Sequence, residues 1–251
     1  MIAVTNQKGG VGKTTTAINV AYYLAKCGKK TLLIDLDPQG NATSGLGVDK
    51  TKIEKSVIDL LVSDAKLADV AKKTKHKNLS LIPTTSHLAN TEVELANLNN
   101  KFVRLKKGID DGGGYDYIII DSPPSLSLLT VNALIAASYV VLPVQAEFYA
   151  MEGLGQLLET MKLVRKGMNP TLELLGVLVT MLDSRTSLSK QVHDEIKKHF
   201  PGKVFETTIP RNIRLAEAPS HGLPIGAYER WSKGARAYKA ATKELMTRVG
   251  D

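Results

Sequence analysis

Within ten residues, Asn6-Gln7-Lys8-Gly9-Gly10-Val11-Gly12-Lys13-Thr14-Thr15 gathers three glycines, two lysines and two threonines. That set suits a phosphate. Backbone N–H groups from Gly9 through Val11 to Thr15 can wrap an anion at the positive end of a following helix, while Lys13 neutralises β/γ oxygens and the Thr14 hydroxyl reaches a Mg2+ ion. Thr15 would serve the α-phosphate side. The usual Gly-x-x-x-x-Gly-Lys-Thr loop would place its first glycine at Gln7, so the fit is imperfect, yet Gly9, Gly10 and Gly12 can supply the backbone angles and close approach it needs. Lys8 makes it a variant with a second lysine.

Three carboxylates stand where such a loop needs them. Thr31-Leu32-Leu33-Ile34-Asp35 reads as a buried parallel strand ending in an acid, and Leu36-Asp37-Pro38-Gln39-Gly40-Asn41 follows as a loop. Ligands of open α/β sheets lie beyond the carboxyl ends of strands. Asp35 can then be a structural or water-mediated Mg2+ contact, and Asp37 the group that orients attacking water. The alternative is a pair of solvated turn residues, with Asp37-Pro38 starting a turn. Tyr117-Ile118-Ile119-Ile120-Asp121 is a second β-rich run, and its aspartate fits the Walker-B position that holds Mg2+ directly or through water.

The elements around these residues alternate. Ile2-Ala3-Val4-Thr5 is a strand feeding the loop and residues 17–25 lie in the helix after it; strands follow at 31–35, 79–83, 117–121, 139–144 and 174–180. Helices are predicted at 56–62, 67–70, 91–107, 126–137, 154–166 and 189–200, with one more strand at 204–209 and a connecting loop at 110–114. Strands separated by helices imply right-handed crossovers and a mainly parallel, twisted sheet with helices on both faces. The expectation is one α/β domain of the P-loop NTPase type over 1–251.

Composition narrows the class. With 251 residues and 43% hydrophobic residues the chain can bury a full core. No run approaches a membrane span, and a strand starting at Ile2 leaves no room for a signal peptide, so a cytoplasmic location is expected. Cys27 is the single cysteine and excludes a multi-cysteine metal site within one chain. The formal charge of +8 favours polyanions if clustered, and only 5% aromatic residues fit duplex-backbone contact better than single-strand stacking. The run Lys72, Lys73, Lys75, His76, Lys77 reads as a solvated loop rather than a nucleic-acid patch.

Lys8 to Thr15 resembles the deviant Walker-A motif of the ParA/MinD group. Residues 33–41 resemble the Walker-A′ of its ParA branch, and Ile120-Asp121-Ser122-Pro123-Pro124-Ser125 the Walker-B form. Residues 144–154 and 209–220 are also similar to that branch, so the likeness runs nearly end to end. The chain is identified on these motifs as a member of the ParA/Soj family of partitioning ATPases.

That resemblance implies a set of expectations. Lys8 reaches the partner subunit's nucleotide, so that ATP holds a sandwich homodimer. Lys8, Lys13 and Asp37 support hydrolysis, Thr14, Asp35 and Asp121 serve Mg2+, and Pro210 and Asn212 lie against the adenine. The Glu147 region touches the ribose or the dimer partner. The ATP dimer binds double-stranded DNA without sequence preference through Arg185, Arg214, Lys233 and Arg236, which places it on the nucleoid, and a ParB-type protein stimulates hydrolysis. No N-terminal helix-turn-helix is expected, because the phosphate-loop strand starts at Ile2. The rival readings are a membrane-cycling ATPase of the MinD type, disfavoured by a C-terminal segment with few bulky apolar residues, and a cargo-positioning relative acting on something other than DNA.

Overall fold

Seven runs of β-rich residues pair into one sheet in the computed structural model, which describes residues 1–110, 113–147, 154–183 and 185–251. The strands are β1 (Ile2–Val4), β2 (Thr31–Asp35), β3 (Lys72–Lys73), β4 (Leu79–Ile82), β5 (Tyr117–Asp121), β6 (Tyr139–Gln145) and β7 (Glu173–Thr180). Their order is β3-β4-β2-β5-β1-β6-β7, and every pair is parallel except β3–β4. The mainly parallel α/β architecture read from the alternation is therefore the observed one.

Strand periodicity sorts the core into two layers. Leu32 and Ile34 of β2, with Ile118 and Ile120 of β5, face one apolar cluster; Leu33 and Ile119, between them, face the other. The first layer is closed by helices Val57–Val62, Leu88–Ala96, Arg104–Ile109, Leu128–Ala136 and Leu154–Gly167. Helices Lys13–Lys26 and Lys233–Val249 close the second. With both faces covered, β1, β2 and β5 are buried at every residue, which explains why they read as continuous apolar runs.

Three segments depart from the sequence reading. The helix expected over 91–107 is two, Leu88–Ala96 and Arg104–Ile109, because Asn97, Asn99 and Asn100 are poor helix formers and the Asn132 side chain takes the N–H of Leu105. The strand expected over 204–209 is only one isolated bridge, Val204 to Val177 of β7, with a second just beyond it between Pro210 and Leu182. Phe205 and Ile209 donate to Val177 and Val179, but the N–H groups of Glu206 and Thr207 go to the Glu244 carboxylate instead, so no ladder forms. The basic run 72–77 is a hairpin closing on β4 rather than a loose loop: Thr74 bonds Leu79, and Lys73, Lys75 and Lys77 point outward. Residues 111–112 of the loop 110–114 lie outside the described residues.

Candidate functional site

β1 ends at Val4 and the chain turns at once into the glycine loop. Asn6 holds the turn, donating through Nδ2 to Pro143 O at 2.8 Å and accepting the Lys8 N–H at 3.1 Å. Gly10 and Gly12 have φ of 75° and 87°, left-handed values that a side chain would strain. Gly12 is the cap of helix Lys13–Lys26 and no side chain caps that end, so its N–H groups remain available to an anion. Buried Val11 anchors the loop, and its carbonyl accepts from Thr180 Oγ1 at the end of β7 at 2.8 Å.

Lys13 is buried and donates to Lys8 O at 2.9 Å. Burial lowers its pKa, while Asp121 and Asp37 pull the other way and favour the charged form. A cleft of about 270 Å³ brings Gly9, Gly10, Gly12, Lys13, Thr14 and Thr15 together with Asp37, Gln39, Asn41 and Pro124. Lys8 is not on that lining. Its side chain leaves the loop 35% exposed, with Nζ 3.8 Å from the Glu147 carboxylate.

The carboxylates divide into three environments. Asp35 and Asp121 are register partners at the ends of β2 and β5, and both are fully buried. Asp35 accepts from Thr43 N (2.7 Å), Thr43 Oγ1 (2.6 Å) and Asp37 N (3.3 Å), so both of its oxygens have protein donors. Burial raises its pKa to about 6 against the pull of those bonds. This geometry favours the structural alternative for Asp35 over direct metal ligation. Asp121 makes no hydrogen bond of ordinary geometry on either oxygen among the described residues; the nearby Thr14 hydroxyl favours its charged form, but burial followed by the Asp35 charge raises its pKa well above the ordinary range. Two orphaned buried oxygens beside a P-loop threonine fit a hard cation. Asp37 is also buried, lines the cleft and accepts the Gln39 N–H through Oδ1 at 2.9 Å.

A second cleft of about 440 Å³ adjoins the first through Gly12, Thr15 and Met181, and is walled by Ile209, Pro210, Asn212, Leu215 and Tyr238. Its polar and apolar walls suit a base beside the phosphates, and Pro210 and Asn212, expected against the adenine, are on its lining. Sequence reasoning missed Thr180 and Met181. Met181 has φ of 51° at the junction of the two clefts, and no local motif marks it. Of the segment 144–154, Phe148 to Gly153 lie outside the described residues.

The four predicted cationic residues occupy adjoining elements. Gly234 sits so close to the Leu215 side chain that a Cβ there would fall 2.7 Å from it, so the first turn of the last helix, which carries Lys233, packs on helix Ile213–Glu217, while Arg236 lies two residues beyond Gly234 round that helix and faces solvent. Arg185 is reached through the Leu182–Pro210 bridge, with exposed Arg211 between. Arg185 is paired with Asp183 (2.7 Å) and Arg214 with Glu217 (2.8 Å), whereas Lys233 and Arg236 are exposed and form no ion pair among the described residues. Ser184, beside Arg185, lies outside the described residues. Arg211 was not singled out by the sequence.

Comparison with known proteins agrees with this geometry. A family model described as "AAA domain" matches residues 1–174. The chain is 55% identical over 246 residues to the Sporulation initiation inhibitor protein Soj of Bacillus subtilis, covering 98% of this chain and 97% of that one. It is 48% identical to the Chromosome partitioning protein ParA of Myxococcus xanthus, covering 99% and 88%. Among solved structures, Cobyrinic Acid a,c-diamide synthase from Mycobacterium smegmatis with bound ADP and magnesium is similar at TM-score 0.87 and 36% identity, covering 99% of this chain and 94% of that one. A putative plasmid partition protein of Borrelia burgdorferi bound to AMPPNP is similar at TM-score 0.83 and 27% identity, each covered to 98%. With a glycine loop, two strand-end aspartates and two adjoining clefts assembled on one sheet, the chain belongs to the ParA/Soj family of P-loop NTPases.

Proposed function

We propose that the protein is an ATP-driven DNA-partitioning ATPase whose nucleotide state sets its assembly and its hold on DNA. ATP fills both clefts, with phosphates on Gly9 to Thr15 and adenine against Pro210 and Asn212. Asp121 and the Thr14 hydroxyl would hold Mg2+, which neutralises phosphate charge as it develops. Lys13 turns from the Lys8 carbonyl to the β/γ oxygens. Asp37, with one oxygen fixed by the Gln39 N–H, uses the other to orient the attacking water.

The observation that carries the dimer is the position of Lys8. A loop lysine that does not line its own cleft and keeps its side chain 35% exposed supports a contact with the triphosphate of a facing subunit. Two such contacts exist only with ATP bound, so they bias the monomer–dimer equilibrium by nucleotide. Dimerisation then doubles the cationic surface of Arg214, Lys233 and Arg236, which binds DNA phosphates without reading bases. A ParB-type partner accelerates hydrolysis and resets the cycle on the nucleoid.

A membrane-cycling role lacks support. Ala235, Tyr238, Ala241 and Leu245 of the last helix are buried against the sheet, and no helix among the described residues is long and apolar enough to cross a membrane. The test is co-sedimentation of the protein with random-sequence duplex DNA under ATP, ADP or no nucleotide, in parallel with sedimentation velocity. Dimers and DNA binding under ATP alone are expected; equal binding in ADP would overturn the nucleotide switch.

A further inference from the structure

The one tryptophan of this chain is also among its most exposed large side chains, with 71% of Trp231 open to solvent. An apolar ring of that size left in water needs a reason, because its burial elsewhere would be strongly favourable. Its setting is rigid. Ser232 N donates to Glu229 O at 3.1 Å, so Arg230 and Trp231 are the two central residues of a closed turn. Ser232 then caps the last helix through a 3.0 Å bond from Ala235 N, and Glu229 N is tied back to Ile225 O at 2.8 Å. The turn is thus fastened on both sides and holds the indole out at its apex.

Charge surrounds the ring on its own turn. The Arg230 guanidinium lies 4.7 Å from the ring centroid, and Lys233 and Arg236 follow on the first turn of the helix. We infer that Trp231 and Arg230 form an apolar and cationic contact for duplex DNA, the indole packing against sugar and base edges in a groove while neighbouring cations hold the phosphates. The inference rests on the DNA-binding reading and adds to it a contact other than phosphate neutralisation.

The surroundings favour a duplex over other occupants. A membrane would need an apolar face, but the apolar residues of the adjoining helix are buried in the core. A single strand would need several rings in series, whereas among the described residues Trp231 is one exposed indole beside Arg230, on a turn that also carries Glu229. A wedge-like side chain flanked by lysine and arginine is the arrangement that architectural proteins use at a groove.

The test uses the full chain with ATP and Mg2+, and Trp231 is its own probe as the sole indole. Emission should shift to the blue and be quenched in step with added random-sequence duplex, and stay unchanged with ADP. Trp231→Ala should weaken DNA binding about tenfold with an unchanged slope of log affinity against log salt, since no phosphate contact is removed. Lys233→Ala should reduce that slope by about 0.9. Trp231→Phe should recover part of the loss, and melting temperatures would establish that each variant is folded. If wild type binds DNA by sedimentation while its emission stays fixed, or if Trp231→Ala binds equally well, the contact is refuted and the partition reading survives. If wild type binds no DNA with ATP, both fall. An emission shift with anionic lipid vesicles or polyglutamate but not with duplex would also overturn it.

Discussion

Asp35 and Asp121 stand side by side on neighbouring strands, yet one has protein donors for both oxygens and the other has none. The two positions should therefore fail differently. Asp35→Asn leaves one acceptor oxygen where two are used, so an amide NH2 must face either the Thr43 donors or the Asp37 N–H, and a cost of about 1–3 kcal/mol in stability without ligand is expected. Asp121→Asn replaces a carboxyl whose charged form burial and Asp35 disfavour and only Thr14 and Lys13 support, so stability without ligand should change little. Its loss should appear only when Mg2+ is added to the ATP-bound protein, as absence of the extra thermal stabilisation that wild type shows. Equal responses of the two variants in melts with and without Mg2+ would remove the distinction.

Asp37 is expected to act on turnover rather than on binding. Its carboxylate lines the cleft, but in the proposed complex the grip on phosphate comes from the loop's own N–H groups and Lys13. Asp37→Ala should keep ATP affinity within a few fold while lowering turnover by about 10²–10⁴-fold, and should accumulate as a DNA-bound dimer. Steady-state hydrolysis and equilibrium nucleotide binding measure the two effects separately. Normal turnover would take Asp37 out of the chemistry.

What the sequence made legible was local, and what it hid was long-range. The loop from Gly9 to Thr15 and the strand-end positions of Asp35 and Asp121 can be read because a strand, its last residue and the following turn are contiguous. The contrast between Asp35 and Asp121 could not be read, because it depends on Thr43 folding back eight residues later. Nor could the tie between Thr180 and Val11, which are 169 residues apart, or the left-handed backbone of Met181 between the two clefts. The segment 204–209 had the composition of a strand, and only the competing Glu244 carboxylate kept it from forming one.

Thr180 offers a test of loop preorganisation. Its hydroxyl donates to the Val11 carbonyl and joins the end of β7 to the phosphate loop. Thr180→Val keeps the shape and removes the bond, which should cost about 1 kcal/mol, or about fivefold in nucleotide affinity. The weakening should be similar for ATP and ADP, because the loop holds phosphates common to both. Calorimetric titration with each nucleotide checks the magnitude and the parity; an ATP-only effect would place Thr180 in the switch instead.

The cationic surface should behave as a set of unequal members. Lys233 and Arg236 carry no paired carboxylate among the described residues, whereas Arg185 and Arg214 are partly neutralised by Asp183 and Glu217. Replacing Lys233 and Arg236 by alanine should reduce DNA binding more than replacing Arg185 and Arg214. All four changes together should abolish it while ATP-dependent dimers persist in sedimentation velocity. Wild-type affinity should fall steeply with salt, by about 0.9 in log affinity per phosphate contact for each decade. A flat salt profile is incompatible with phosphate recognition.

Glu244 ties the last helix to the segment that leads into the second cleft. It accepts the N–H groups of Glu206 (2.8 Å) and Thr207 (2.9 Å) and pairs with Arg248, whose guanidinium bonds Leu175, Lys203 and Val204 carbonyls and stacks on Phe205. Burial alone would raise the Glu244 pKa, but the bonds from Thr207, Glu206 and Arg248 outweigh it and hold the carboxyl below its ordinary value. A depressed carboxylate stabilises the fold above its unfolded pKa, and that contribution is lost as pH falls through the folded one. Wild type should therefore lose stability on acidification below the ordinary glutamate range. Glu244→Ala should be less stable at neutral pH by about 1 kcal/mol, since the N–H groups of exposed Glu206 and half-buried Thr207 can turn to water. Its acid limb should be shallower, because one group that resists protonation is gone. Because residues 204–209 lead into Pro210 and Asn212, the same variant should also weaken adenine nucleotides while leaving inorganic phosphate binding unchanged. Denaturant titrations across pH, with nucleotide binding beside them, distinguish this clamp from a solvated surface glutamate, for which neither slope nor affinity would move.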